Sequence, residues 1–283
     1  MAPPQLVAVG DLMIDVTVDE TALARGGHVV GAVRLRPGGS AANAAVWARA
    51  AGAAATVIGR VGGDTAGRVL RAALEEHGVQ ALVAADEEAP TGIFVRLGER
   101  VVAERGANAG LVPDDVPAEL RAEAVLVSGF ILLHDDSGPA AEAALARAAA
   151  PWVAVDAGSA RLLDSYGRER FLAATERASL LLLNEDEAFA LTDEEPAAAA
   201  RALADFYEVV CVKEGPAGAV AARAGELTRA ESPPVDVADP TGAGDAFAAA
   251  LLVALSSGRA LPDALTEACR AGAASAGSRD PWP

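Results

Sequence analysis

The residues best placed to do chemistry form one short run, Asp239-Pro-Thr241-Gly242-Ala243-Gly244-Asp245, which leads straight into the apolar stretch from Ala246 to Leu255. A Thr-Gly-Ala-Gly turn that opens a helix presents backbone N–H groups without intrahelical partners, and the helix dipole adds positive potential at the same point. Gly242, Ala243 and Gly244 are therefore expected to form an anion hole. Asp245, in the first turn, sets a negative charge beside a hole that attracts negative charge. An acid at a helix start is often a mere complement to the dipole. Two glycines there weaken the helix unless the backbone must approach a ligand closely, so they favour a chemical role. The pairing makes sense when Asp245 takes the proton of a hydroxyl that attacks a phosphoryl group, while the amides stabilise the charge that develops.

Four further clusters could serve such a reaction. Gly38-Gly39-Ser-Ala-Ala-Asn43 puts two glycines just before a helix and an amide one turn in, and Asn43 offers both donor and acceptor to a pair of hydroxyls. Asp15, in Val9-Gly-Asp-Leu-Met-Ile-Asp15, can accept hydrogen bonds from vicinal hydroxyls; Asp11, nearer the strand end, is the second candidate. Asn184 and Glu187, in Asn184-Glu-Asp-Glu187, stand three apart at a helix start and share one side. Lys213, the sole lysine, heads Lys213-Glu-Gly215-Pro-Ala-Gly218 after an apolar strand, where a compact positive charge suits a polyphosphate.

The elements that position these clusters follow from apolar patterning. Leu6–Gly10 and Ala54–Ile58 read as buried strands, with helices over Ser40–Ala51 and Asp64–His77. Strand-like pieces at Val16-Thr-Val and Val29 to Leu35 are too polar and interrupted for a core sheet. Thr91–Leu97 and Val101–Glu104 read as a hairpin. From residue 124 onward, strands at Ala124–Val127, Trp152–Val155, Leu180–Leu183 and Val209–Val212 alternate with helical segments at Pro139–Ala149, Glu185–Leu191 and Pro196–Phe206. A hairpin over Ala219–Ala222 and Leu227–Ala230, then helices Ala246–Ser256 and Leu261–Ala276, complete the chain. Such alternation predicts an α/β fold of three layers, α/β/α, around a central, mostly parallel sheet. No linker or repeat divides residues 1–283, so one domain is expected, with a small β lid from segments at about 16–37 and 90–105.

Composition narrows the class. With 283 residues, 52% of them hydrophobic, the chain can bury a large core. A net charge of −17 repels nucleic acid and anionic lipid, and neither is expected as a partner. Cys211 and Cys269 sit in apolar surroundings without metal or disulfide spacing. No signal peptide opens the chain and no apolar run is long enough to span a bilayer, so a cytoplasmic location is expected.

In order and spacing, the five motifs resemble those of the ribokinase-like carbohydrate kinases, the PfkB family, over nearly the whole chain. The segment Ile58-Gly-Arg-Val-Gly-Gly-Asp64-x-x-Gly67 extends the likeness. The resemblance implies ATP and Mg²⁺ as cofactors and a sugar or sugar derivative as the phosphoryl acceptor, through a primary hydroxyl. It implies Asp245 as base, Gly242 to Gly244 as the phosphate-stabilising turn, and Asp15, Gly38, Gly39 and Asn43 as sugar contacts, with the glycine pair as hinge. Arg105, ahead of Gly106-Ala-Asn-Ala-Gly110, would touch the transferring phosphate or an acidic substrate. Asn184 and Glu187 would organise magnesium, water and phosphate, and Asp239 would assist the cation. Lys213, Gly215, Gly218, Thr241 and Ser275 would meet the nucleotide. A homodimer through the lid sheet is also implied. Two departures stand out. The chain stops soon after the last helix, so a monovalent cation, used by some members, has no assignable site. Phe130 to Asp136 also lacks a glutamate that some sugar-specific members use.

Other classes fit less well. The dinucleotide fingerprint fails at Phe247, and no Gly-x₄-Gly-Lys-Ser/Thr is present. A nucleoside kinase of the same fold, or a sugar-binding relative without activity, would share most of these residues; Asp245 argues against a pure binder. Ribose, fructose, 2-keto-3-deoxygluconate and nucleosides all stay open as acceptors, with Phe94, Arg96 and Arg105 as residues able to discriminate among them.

Overall fold

The computed structural model describes residues 3–18, 31–98, 100–280 and 282–283. Its main sheet is built from β1 (Gln5–Val9), β4 (Ala54–Gly62), β5 (Gln80–Asp86), β9 (Ala124–Ser128), β11 (Trp152–Asp156), β12 (Leu180–Asn184), β13 (Val209–Lys213), β14 (Ala219–Arg223) and β15 (Glu226–Ala230). The order across the sheet is β15-β14-β13-β12-β11-β9-β1-β4-β5. Neighbours run parallel from β5 to β13, and the last two strands are added antiparallel. A two-residue parallel pair, β8 (Leu120–Arg121) with β10 (Ala148–Ala149), lies apart.

The central strands are apolar at nearly every position because both faces are covered. Successive side chains point to opposite faces. Leu6 and Ala8 of β1, Ala124 and Leu126 of β9, and Leu180 and Leu182 of β12 enter one core. Helices α1 (Ser40–Ala50), α2 (Thr65–Glu76), α9 (Ala243–Ser256) and α10 (Leu261–Gly277) close it. Val7, Val9, Val125, Val127, Leu181 and Leu183 enter the other. That one is covered by α3 (Gly129–Leu132), α4 (Gly138–Arg147), α5 (Ala160–Tyr166), α6 (Arg168–Ala174), α7 (Glu185–Thr192) and α8 (Pro196–Leu203). Helix α9 is buried from Ala246 to Leu255 and packs on α10 and α1, so its N-terminus is held firmly against the carboxyl edge of the sheet.

A second, four-stranded sheet has the order β3-β2-β6-β7, from β2 (Met13–Val18), β3 (Val33–Gly38), β6 (Gly92–Leu97) and β7 (Arg100–Glu104). Its register gives each face a distinct character. Leu35, Val16, Val95 and Val102 align in one row. On one side of it lies the row Arg36, Asp15, Phe94 and Ala103, and on the other the row Arg34, Thr17, Arg96 and Val101. Residues i and i+2 share a face. Arg34, Arg36, Asp15, Phe94 and Arg96 therefore point one way, while Val33, Leu35, Val16 and Val102 point the other.

Several expected boundaries shift. β2 starts at Met13 and β3 runs to Gly38, so Asp15 lies on the small sheet itself; the expected strand positions Val29 and Val30 fall outside the described residues. Strand β5 escaped the sequence reading because it is an edge strand, rich in alanine and alternately exposed. Helices α5 and α6 escaped because each has seven residues and Gly167, at φ 88°, divides them. Helix α9 begins at Ala243, three residues before the apolar run, so the glycine turn is its first turn.

Candidate active site

Three adjacent parallel strands end in polar residues: Asp156 closes β11, Asn184 closes β12 and Lys213 closes β13. The carboxyl edge of an open α/β sheet is where such folds bind ligands. A pocket of roughly 200 Å³ opens there, lined by these three side chains together with Glu187, Ser128, Phe130, Gly242, Gly244 and Asp245. That is below the roughly 300–1,000 Å³ of a whole small-molecule site. It has room for a transferring group and the hydroxyl it meets.

Gly242 caps α9 at φ 81°, ψ −4°, the left-handed region in which glycine carries no Cβ penalty. The Thr241 N–H donates to Asp239 Oδ1 at 3.0 Å, which tightens the approach to the helix. The expected anion hole is narrower than the sequence suggested: the Ala243 N–H donates to the Pro240 carbonyl at 3.3 Å, and only Gly242 and Gly244 line the pocket. A Cβ built on Gly244 would meet Lys213 Nζ at 3.4 Å, so a positive charge stands beside the helix start.

Charge in this cleft is unevenly balanced. Lys213 Nζ donates to both carboxylate oxygens of Asp156 at 2.9 Å. Burial pulls the ammonium down, yet Asp156 and Glu187 carry it above its ordinary value. Asp245 is pushed up to about 7 by burial and by Asp156 and Asp15, against the pull of Asn43 and Lys213. Glu187 also rises to about 7, through burial and Asp156, with Lys213 opposing. Three carboxylates thus share one lysine. Asp245 and Glu187 are acids whose protons come off near neutrality, where a group that must accept a proton is useful.

Asn184 and Glu187 form a reciprocal cap on α7. The Asn184 N–H donates to Glu187 Oε2 at 2.8 Å and Asn184 Nδ2 to Oε1 at 2.8 Å, while the Glu187 N–H donates to Asn184 Oδ1 at 2.8 Å. Among the described residues, no three His, Cys, Asp or Glu converge to cage a metal. A magnesium ion still fits the donor set, because the carboxylates outnumber the lysine and magnesium keeps most of its waters. Asn184 and Glu187 would hold it through water.

On the other side of Asp245, Asn43 Nδ2 donates to Asp245 Oδ2 at 2.8 Å, and Asn43 Oδ1 accepts from Trp282 Nε1 at 2.8 Å. Each end of the Asn43 amide thus has a partner within the protein. Asp15 is buried and rises to about 7, through burial and Asp239, with Arg36 and Arg96 opposing. A Cβ on Gly38 would fall 2.4 Å from Asp15 Oδ2, so only glycine leaves room for that carboxylate. Gly39, at φ 93°, turns the chain into α1, and a Cβ there would collide with the Asp11 carbonyl at 2.4 Å. Asp11 is buried with Oδ1 unpartnered.

Other predicted residues lie off this pocket. Arg105 donates to Asp136 at 2.6 Å and to Ser137 at 2.6 Å. Asp239 stands 3.8 Å from the Arg36 guanidinium and accepts from Thr241. Ser275 is fully buried in α10 with its hydroxyl unpartnered. Gly215 and Gly218 bend the chain between β13 and β14, and a Cβ on Gly218 would lie 2.0 Å from the Ala230 carbonyl. The sequence reading missed Asp156, Ser128 and Trp282. Asp156 had a signal, since an acid closing an otherwise apolar parallel strand points to the ligand edge. Trp282 had none.

The profile of pfkB family carbohydrate kinases matches residues 3–281. The chain is 30% identical over 240 residues to a fructokinase of Salmonella typhimurium, covering 77% of this chain and 76% of that protein. It is 32% identical over 237 residues to a 2-dehydro-3-deoxygluconokinase of Thermoproteus tenax, covering 74% and 70% respectively. The fold superposes with a TM-score of 0.82 on a fructokinase of Vibrio cholerae solved with fructose, ADP and calcium ion bound, at 24% identity, over 99% of this chain and 94% of that one. With the family's profile matched from end to end on a three-layer α/β fold, the chain belongs to the PfkB carbohydrate kinases.

Proposed function

We propose that this kinase transfers the γ-phosphoryl group of ATP to a primary hydroxyl of a sugar or sugar acid, with Asp245 as the base. The observation that carries the reading is the carboxylate of Asp245 in one small pocket with the glycine turn and Lys213. Asp245 takes the hydroxyl proton, the oxygen attacks phosphorus, and the bond from phosphorus to the bridging oxygen breaks to release ADP. Amides at Gly242 and Gly244, and the Lys213 ammonium, meet the charge on the migrating group, where each well-placed donor is worth about 3 kcal/mol. Magnesium bound with the nucleotide would neutralise phosphate charge. A cytoplasmic setting, where ATP is at hand, suits the reaction.

The acceptor end favours an acidic group. Arg34, Arg36 and Arg96 share the face of the small sheet that carries Asp15, in a chain whose net charge is −17. The Arg96 Nε is buried without a partner. Guanidinium groups match carboxylates in fork geometry, so 2-keto-3-deoxygluconate fits this face better than fructose does. Phe94 on the same face supports a second reading, in which a nucleoside base stacks there. The small sheet acts as a lid over the acceptor. Its outer face exposes Val33, Leu35 and Val102, an apolar surface suited to a second copy of the chain.

Four outcomes follow. Asp245→Asn retains acceptor binding by calorimetry and loses at least roughly a hundredfold in kcat; near-normal turnover refutes the base. The sign of its stability effect is also set. Asp245 has its pKa raised on folding, so its contribution to stability is present at low pH and is lost as pH rises through about 7. Asp245→Asn therefore raises Tm at alkaline pH and leaves it nearly unchanged in acid. In an ADP-release screen, kcat/KM for 2-keto-3-deoxygluconate exceeds that for fructose, ribose and adenosine, and Arg96→Gln shrinks that preference about tenfold; a neutral sugar as best acceptor rejects the acidic reading. Light scattering gives a dimer mass that Leu35→Glu converts to a monomer, whereas a parent chain that is already monomeric removes the dimer from the account.

A further inference from the structure

Trp282 belongs to none of the family motifs, yet it is buried and makes one directed contact with the site. It lies on the segment after α10, 7% exposed, with its ring edge-on to His77 at 5.0 Å. Its indole N–H donates to Asn43 Oδ1 at 2.8 Å, and Asn43 Nδ2 donates in turn to Asp245 Oδ2 at 2.8 Å. Asn43 itself is 3% exposed.

The two neighbours of that amide are one-way groups. An indole can only donate, and an ionised carboxylate can only accept. Both require the same orientation, oxygen toward Trp282 and nitrogen toward Asp245. Turned over, the amide would set two donors against each other at Trp282 and an oxygen against the carboxylate. A protonated carboxyl, by contrast, would gain from a turned amide, because its O–H could then donate to Asn43 Oδ1. Trp282 blocks that arrangement.

We infer that Trp282 is a positioning residue for Asp245: by holding Asn43 in one orientation, it keeps a hydrogen-bond donor aimed at the carboxylate and so keeps the base in its ionised, proton-accepting form. This rests on the proposed role of Asp245. The charged groups that face the carboxylate from other elements are Asp156 of β11, Lys213 of β13 and Asp15 of β2. None of them contacts the indole in the structure, and His77 is the titratable ring beside it.

The test is Trp282→Phe, which keeps an aromatic ring and deletes the N–H. With ATP–Mg²⁺ and either fructose or 2-keto-3-deoxygluconate, the acid limb of kcat should move up by about one pH unit. The alkaline plateau and KM for ATP should change by less than about threefold. A loss of equal size at every pH, or an unmoved acid limb, overturns the inference. A second measurement needs no turnover and separates this inference from the kinase reading. In protein labelled with nitrogen-15 tryptophan, the indole resonance absent from Trp282→Phe should shift between about pH 5 and 9. Asp245→Asn should abolish that shift, apart from the part that His77→Phe removes. A shift identical in the parent and in Asp245→Asn shows that the indole does not sense the carboxylate, and the inference falls.

Discussion

The structure depends on holding three carboxylates, Asp156, Glu187 and Asp245, around a single ammonium at the carboxyl edge of a sheet. Such a surplus of negative charge, with Glu187 buried and Asp156 and Asp245 only partly exposed, is costly on its own. The fold meets it in three ways. Lys213 binds Asp156 through both oxygens, Asn184 donates to both oxygens of Glu187, and Asn43 donates to Asp245. What these contacts leave uncompensated appears as acids titrating near 7. The same burial that costs stability brings Asp245 to titrate near neutrality, as its proposed role of base requires.

That cluster also explains the architecture around it. A parallel sheet buried on both faces delivers strand ends side by side, so Asp156, Asn184 and Lys213 meet although they are far apart in the chain. Helix α9 supplies the anion turn, and its burial against α1 and α10 fixes where that turn points. The small sheet contributes Asp15 from the acceptor side and leaves an apolar back. Rigid elements carry the reacting groups, and the glycine pair at Gly38 and Gly39 joins them to the sheet above.

Much of this was legible in the sequence, for local reasons. The glycine turn with Asp245, the Asn184–Glu187 pair and the strand pattern from residue 124 onward each depend on residues close together in the chain. What stayed hidden depends on distant partners. Asp156 gains its meaning from Lys213, 57 positions away, and Trp282 from Asn43, 239 positions away. Arg105 finds Asp136 31 positions away, a partner that an arginine after a strand does not announce. The small residues of α10 do not announce that the Ser275 hydroxyl is buried. Strand β5 lacked any signal strong enough to separate an alanine-rich edge from a loop.

The most direct test of the charge arrangement is the steady-state kinetics of Lys213→Met, which keeps the length of the side chain and removes its charge. The account predicts a loss of roughly a hundredfold or more in kcat, with acceptor binding retained and the pH needed for turnover moved upward as Asp245 loses its attracting neighbour. A folded Lys213→Met protein with undiminished kcat and an unchanged pH dependence would contradict it.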